Sequence, residues 1–230
     1  MKTTLSTLLL AGLFLAGILI PERVTSQNPP VNRANIVTES FFNGIVAKSS
    51  NTCRGRGFYT HATFLRVIGD YPEFARSGTI DDSKRELAAF FAHVTHETGS
   101  FCYIEEINKR DYCTPSVKYP CAPNKQYYGR GPIQLTGNNN YGAAGDSIGF
   151  NGVGNPEIVA QNPTISFKTA LWFWMENVHS VVGQGFGATI RKVNGGECNG
   201  GNQDQVTSRV NLYLDYCRQF GVSPNGNQRC

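Results

Sequence analysis

A mostly α-helical domain with long irregular connections, braced by disulfides, is the fold class the sequence predicts. Three observations carry it. Apolar residues recur at helical spacing in several separate segments. Strand-type alternation is weak, with at most one short hairpin signalled around Tyr127 to Thr136. Seven cysteines stand in the chain, all from Cys53 onward.

The chain begins with Lys2, an uninterrupted apolar run Leu8 to Ile20, and small residues at Val24-Thr25-Ser26. This pattern reads as a secretory signal peptide over 1–26. The run is shorter than the roughly 20 apolar residues that span a bilayer, and no later run reaches that length, so no membrane segment is expected. A short Pro-containing leader, 27–34, precedes one folded domain over 35–230.

From Asn35 the pattern turns helical, with Phe41, Phe42, Ile45 and Val46 on one face. Asn51 to Tyr59 carries Gly55, Gly57 and Cys53 and reads as a loop. Thr60 caps a helix striped by Phe64, Leu65 and Ile68, and Tyr71-Pro72 closes it. The clearest helix follows. Asp81 or Asp82 caps it, Leu87, Ala88, Phe91, Ala92 and Thr95 keep its period, and Gly99 ends it. Ser100 to Tyr128 has little periodicity, and Cys102, Cys113 and Cys121 brace it. Gly129 to Gly145 is rich in Gly and Asn and is expected to be extended. Asn162-Pro163 is a cap followed by Pro at the first helical position, leading into Ala170 to Met175. Trp172 is expected in the core, with Trp174 open between core and cleft. Val206, Val210, Tyr213, Leu214, Cys217 and Phe220 mark a last amphipathic helix.

The net charge is +4 and the basic residues are scattered, so no nucleic-acid partner is expected. The cysteines are Cys53, Cys102, Cys113, Cys121, Cys198, Cys217 and Cys230. An oxidising compartment pairs most of them, and an odd number leaves one over. Their spacings are not those of a zinc ribbon. His93, His96 and Glu97 lack the H-E-x-x-H order of a metallopeptidase helix, so no metal is expected.

Glu97 falls in the last turn of the long helix, after Phe90, Phe91, Ala92 and Val94. Apolar surroundings raise a carboxyl pKa, and the negative helix end acts in the same direction. That is the behaviour of a general acid. Glu105 and Glu106 follow in the cysteine-bound loop. Glycoside hydrolysis uses two carboxyl groups flanking the sugar bond. Tyr127-Tyr128-Gly129-Arg130-Gly131-Pro132-Ile133-Gln134-Leu135-Thr136 suits a cleft wall of aromatic rings and close backbone, with Gln134, Thr136 and Asn138 to Asn140 able to bond hydroxyl and acetamido groups. The Gly-x-Gly alone lacks the third glycine and the βαβ context of a nucleotide loop.

His96-Glu97-Thr98-Gly99, Phe101 to Asn108, Tyr127 to Thr136 and Ala170 to Met175 together resemble the plant chitinases of glycoside hydrolase family 19, most densely the short-loop class IV type. The resemblance runs from about Asn35 to Cys230. It implies a bilobal, lysozyme-like helical fold with a long substrate cleft and an inverting endochitinase acting on β-1,4-linked N-acetylglucosamine, as a monomer and without cofactors. It implies Glu97 as general acid, Glu106 as general base and Glu105 as a structural neighbour. Thr136 would help hold the attacking water. Glu197 and Arg209 would form a charged pair that orients the base. Tyr127, Gln134, Asn140 and Asn194 would bind substrate. The implied disulfides are Cys53–Cys102, Cys113–Cys121 and Cys198–Cys230, leaving Cys217 as a thiol. The expected setting is the apoplast rather than the vacuole, in defence or cell-wall-related chitin breakdown.

Two departures stand out. The cysteine-rich chitin-binding module that usually opens class IV chains has no counterpart, so a weaker hold on crystalline chitin is expected. Gly137 and Asn139 stand where the family usually carries bulky or aromatic residues. They motivate a rival reading, an oligosaccharide-binding protein with little hydrolysis.

Overall fold

The computed structural model describes residues 32–230. The expected signal peptide, and residues 27–31 of the leader, lie outside the described residues. Among the described residues ten α-helices follow one another: α1 (Arg33–Ile36), α2 (Glu39–Val46), α3 (Gly55–Phe58), α4 (His61–Val67), α5 (Ile80–Thr98), α6 (Asn138–Ile148), α7 (Ile158–Gln161), α8 (Pro163–Phe173), α9 (Phe186–Asn194) and α10 (Gln203–Gln219). Among the described residues only isolated β-bridges occur, and two of them, Glu105 to Arg130 and Arg130 to Leu135, lie in the segment where a hairpin was signalled.

Helix α5 organises the molecule because it is apolar on nearly every side. Leu87, Ala88, Phe90, Phe91, Ala92 and Val94 have no exposed surface, as expected of a helix buried all round rather than on one stripe. Its most extensive helix contact is with α10, where the Tyr216 hydroxyl donates to Thr95 Oγ1 at 3.0 Å. Edge-to-face pairs Phe41–Phe91 and Phe64–Phe91, with centroids 5.1 and 5.0 Å apart, tie α2 and α4 to the same helix. Each such pair contributes about 0.5–1.5 kcal/mol beyond its buried area.

The helix ends follow the side chains available. Thr38, Thr60 and Asn162 cap α2, α4 and α8. For α5 the cap is Thr79, not Asp81 or Asp82. Asp82 sits at the third position and bonds back to the Thr79 N–H, completing a capping box. The folded part begins earlier than Asn35, since Arg33 is buried and its guanidinium donates to the Tyr71 and Phe74 carbonyls. Gly55–Phe58 forms a single helical turn inside the expected loop. Trp174 joins Trp172 in the core, fully buried, with its indole N–H donating to Glu86 Oε1 at 2.9 Å.

The main departure is α6, in a stretch expected to be extended. Asn and Gly are poor helix formers, but tertiary contacts override them here. Asn138 is fully buried, accepts from the Thr114 N–H at 2.8 Å and donates to the Thr114 and Tyr119 carbonyls. A side chain at Gly142 would run into the Tyr119 ring. These residues are there for close approach of the Thr114–Tyr119 loop, not for local propensity.

Three disulfides form, Cys53–Cys102, Cys113–Cys121 and Cys198–Cys230, and Cys217 is a buried free thiol. The first ties the α2–α3 loop to the end of α5. The second closes the loop behind α6. The third anchors the C-terminus beside Glu197.

Candidate active site

Helix α5 delivers Glu97 in its last turn, and the following loop delivers Glu106. Both line the same two adjoining cavities, of about 540 and 360 Å³, and Gln134 lines both as well. The larger is completed by Tyr112, Gly129, Ile133, Leu135, Thr136, Asn140, Phe173, Val193 and Asn194. The smaller is completed by His96, Gly99, Tyr103, Glu105, Ile107 and Asn108. The two carboxyl groups therefore stand where one groove passes from one cavity to the next.

The two glutamates are held differently. Glu97 Oε1 receives an N–H from Arg209 Nη2 at 2.5 Å. The same guanidinium donates through Nε to Glu197 Oε2 at 2.7 Å and through Nη2 to Glu197 Oε1 at 2.8 Å. One positive charge thus meets two carboxylates, and Glu97 is the one with the single bond. Burial raises the Glu97 pKa, Arg209 offsets part of that, and the negative Glu197 adds to it, so the net direction is upward. Burial and the Arg209 charge keep His93 far below the usual imidazole range and push its neighbour His96 down to about 4.

Glu106 accepts on both oxygens, from the Tyr112 hydroxyl at 2.8 Å and from the Gly129 backbone N–H at 3.1 Å. Two donors from different segments thus fix the orientation of this carboxyl group. The Glu106 N–H donates to the Gly129 carbonyl at 2.8 Å, so the Glu106 and Gly129 loops are bonded to each other in both directions. The Thr136 hydroxyl donates to the Gln134 carbonyl at 2.8 Å, which leaves its oxygen lone pairs for another donor. Asn140 Nδ2 donates to the Thr136 carbonyl, Asn194 Nδ2 to Glu197 Oε1 and Gln134 Nε2 to the Gly131 carbonyl. Each amide nitrogen is thus committed to a protein oxygen.

Against this geometry, the comparisons with known proteins agree. The family model described as chitinase class I, of glycoside hydrolase family 19, matches residues 36–183. Chitinase 4 of Oryza sativa subsp. japonica is 61% identical over 204 residues, 87% of this chain and 72% of that protein. Endochitinase EP3 of Arabidopsis thaliana is 56% identical over 209 residues, 88% of this chain and 77% of that protein. The crystal structure of a class IV chitinase from Zea mays superposes with a TM-score of 0.83 at 55% identity, covering 85% of this chain and 98% of that one. The chain belongs to glycoside hydrolase family 19.

Within this family 19 glycoside hydrolase, the structure brings together Glu97, Glu106, Thr136, Gln134, Asn140 and Asn194, with Glu197 and Arg209 directly behind them. Two expectations change. The Glu197–Arg209 pair contacts Glu97, not Glu106, so it orients the residue expected as the acid. Tyr127 is fully buried, with its hydroxyl accepting from the Ala122 N–H and donating to the Val153 carbonyl. It supports the wall from behind and does not face the groove. Glu105 bonds Lys109, Tyr128 and Arg54. Tyr112 and the Gly129 N–H, the two anchors of Glu106, escaped the sequence reading, and His93, considered there and set aside as a metal ligand, accepts from Arg209. Tyr112 gives no sequence signal, being a lone tyrosine in an aperiodic loop. Among the described residues no cluster of three or more His, Cys, Asp or Glu is placed to hold a metal, and no helix is long and apolar enough to cross a membrane.

Gly137 and Asn139 are not among the residues that line the two cavities. Gly137 takes φ +87°, a backbone region disfavoured for a bulky residue, and a Cβ there would meet only the Tyr112 carbonyl oxygen at 3.9 Å. Asn139 is exposed and donates to Thr114 Oγ1. The observation behind the binding-only rival therefore concerns the start of α6, between Thr136 and Asn140.

Proposed function

We propose that this chain is an endochitinase, hydrolysing β-1,4 links between N-acetylglucosamine units with inversion, as a secreted monomer in the apoplast that acts in defence or wall-related chitin breakdown. The printed names of the relatives support the substrate, and three disulfides support an oxidising setting. The observation that carries the mechanism is the contrast between the two carboxyl groups on one groove. Burial and a neighbouring anion favour the protonated form of Glu97, while Glu106 accepts hydrogen bonds on both oxygens.

The sugar chain lies along the groove with the scissile link between the two. Glu97 gives its proton to the glycosidic oxygen as that bond breaks. Glu106 takes a proton from water as the water oxygen bonds the anomeric carbon from the opposite face. Thr136, whose own hydrogen is engaged, accepts from that water and aims it. The oxygens of Gln134, Asn140 and Asn194 accept from sugar hydroxyls and the acetamido N–H. Arg209 and Glu197 hold Glu97 in place without touching substrate.

Wild type, Glu97→Gln and Glu106→Gln are to be compared on a soluble N-acetylglucosamine hexamer. Each variant should lose about 10²-fold or more in kcat, the usual worth of a positioned acid or base, while still binding the hexamer. Proton NMR of fresh product should show the α-anomer first. Full turnover by Glu97→Gln, or β-anomer appearing first, would overturn the mechanism. Binding without product by the wild type would favour the binding-only reading.

A further inference from the structure

We infer that His93 is a positioning residue, its neutral imidazole holding Arg209 in the orientation from which the guanidinium serves Glu97. The inference rests on the assignment of Glu97 as the acid and adds a residue that the assignment does not need. His93 and Arg209 are both buried, at 0% and 1% exposure. A buried guanidinium has five N–H donors to satisfy. Nε and one Nη2 hydrogen go to Glu197, and the other Nη2 hydrogen goes to Glu97. Nη1 donates to His93 Nδ1 at 3.1 Å. His93 offers Arg209 an acceptor that is an imidazole nitrogen rather than a carboxyl oxygen.

The acceptor role demands that Nδ1 carry no proton, and the surroundings arrange this. His93 Nε2–H donates to Thr189 Oγ1 at 2.9 Å, and the Thr189 hydroxyl is committed to the Phe186 carbonyl at 2.7 Å. Thr189 therefore fixes the tautomer. The ring is fixed in turn by stacking on Phe186, with centroids 4.9 Å apart, and Phe186 stacks on Tyr213 at 4.3 Å. Trp174 flanks the other side at 5.9 Å. The charged and titratable groups around the ring and Glu97 are Arg209 from α10, His96 on α5 and Glu197 from the turn after α9. Burial and the Arg209 charge keep His93 neutral.

This arrangement bears on the chemistry through Arg209. With an apolar residue at position 93, Nη1 loses its partner in a buried site, and Glu97, held by a single Arg209 bond, is a carboxyl the guanidinium can turn toward. A guanidinium turned further toward Glu97 holds its anionic form more tightly and makes it a poorer proton donor. The neutral imidazole prevents that turn.

The test uses the full chain on the N-acetylglucosamine hexamer, with kcat and KM followed against pH. His93→Phe keeps a ring to stack but removes both hydrogen bonds. His93→Gln supplies an amide that can accept from Arg209 and donate to Thr189. The expected result for the Phe variant is a kcat lower by roughly tenfold or more, a KM within about twofold, and an alkaline limb of kcat moved to lower pH. The Gln variant should recover most of the rate and the original limb. A Phe variant with unchanged kcat and pH profile, or a Gln variant as impaired as Phe, would overturn the proposal. If His93→Phe does not fold, as judged by circular dichroism, Thr189→Val carries the test. It should shift the alkaline limb in the same direction, and an unshifted limb overturns the proposal. Glu97→Gln runs alongside, and full activity there would reject the acid assignment itself, a different failure from an inert position 93.

Discussion

Arg209 meets two carboxylates with one charge, and the unequal split between them decides what Glu97 can do. Glu197 takes two of its N–H bonds and Glu97 one, so burial is not fully compensated at Glu97. The opposite glutamate depends on Tyr112, whose hydroxyl donates to Glu106 at 2.8 Å. Tyr112→Phe removes that donor and leaves the Gly129 N–H alone to orient the base. A hydrogen bond to a charged group is worth about 1.5–3 kcal/mol when buried. Tyr112 is partly solvated, so the expected loss is nearer about 1 kcal/mol, or several-fold in kcat. The KM on the hexamer and the far-ultraviolet circular dichroism should stay as in the parent. A Tyr112→Phe enzyme with parental kcat would show that Glu106 needs no such anchor. That Glu97 and Glu106 share a cavity was readable because a carboxyl after an apolar helix run and a second one in a braced loop make a chemical pattern, and linked motifs pointed to these two glutamates. The partner of Arg209 was misjudged because it sits 112 residues away in sequence, and charge signs alone do not say which of two acids a guanidinium reaches.

At the scale of elements, α5 carries two polar clusters, one at each end of its buried run. Beyond Glu97 and its partners there is Glu86, 3% exposed, which accepts from the Trp174 indole at 2.9 Å, from the Ala75 N–H at 3.1 Å and from His179 Nδ1 at 2.6 Å. These bonds clamp α5 to the π-helical turn Trp174–Val178 and the 3₁₀ segment His179–Gln184 that follow α8. The hydrogen bond to Glu86 raises the His179 pKa above its ordinary 6.5, with Glu73 adding to it and burial opposing. A raised histidine pKa stabilises the fold fully below the unfolded value of 6.5 and loses that contribution as pH rises through the folded value. His179→Gln should therefore lower the melting temperature most below about pH 6.5, with the gap to wild type narrowing toward alkaline pH. Calorimetry across that range checks it, and a gap that is constant or widens with pH would contradict the clamp. The helices themselves were readable from periodicity in α5 and α10, and from cap and period together in α4 and α8. Helix α6 was not, because Asn138 and Gly142 are chosen for what the Thr114–Tyr119 loop needs and carry the local signature of a turn.

For the whole molecule, the question is which covalent tie the groove depends on. Mostly helical architecture and the disulfide-braced loops were foreseeable from composition, period and family motifs, but the dependence of the site on the chain's far end was not. The C-terminal tail returns to the site from behind. The Gly187 N–H donates to the Asn227 carbonyl at 2.9 Å and the Asn199 N–H to the Cys230 carbonyl at 3.2 Å, and Arg229 donates to Gln203 and Thr207 on α10. Cys198–Cys230 locks this tail to the residue next to Glu197, closing a separation of 32 residues, whereas Cys113–Cys121 spans only 8. Loop-closure entropy assigns about 3–4 kcal/mol to the first and about 2–3 kcal/mol to the second. Replacing both cysteines of a pair by serine should cost global stability in that order. The sharper difference is local. Without Cys198–Cys230 the turn holding Glu197 is free to loosen while α5 remains folded, so Arg209 loses its bidentate partner before the molecule unfolds. In a urea series, hexamer hydrolysis by the Cys198→Ser/Cys230→Ser enzyme should fall at a lower concentration than its circular dichroism. In the Cys113→Ser/Cys121→Ser enzyme, the loop beside Tyr112 loosens instead, and the loss should track the release of Glu106, again ahead of the helices but with a smaller separation. Coincident activity and structure curves in the Cys198→Ser/Cys230→Ser enzyme would mean that the tail stabilises the fold as a unit and has no particular hold on Glu197.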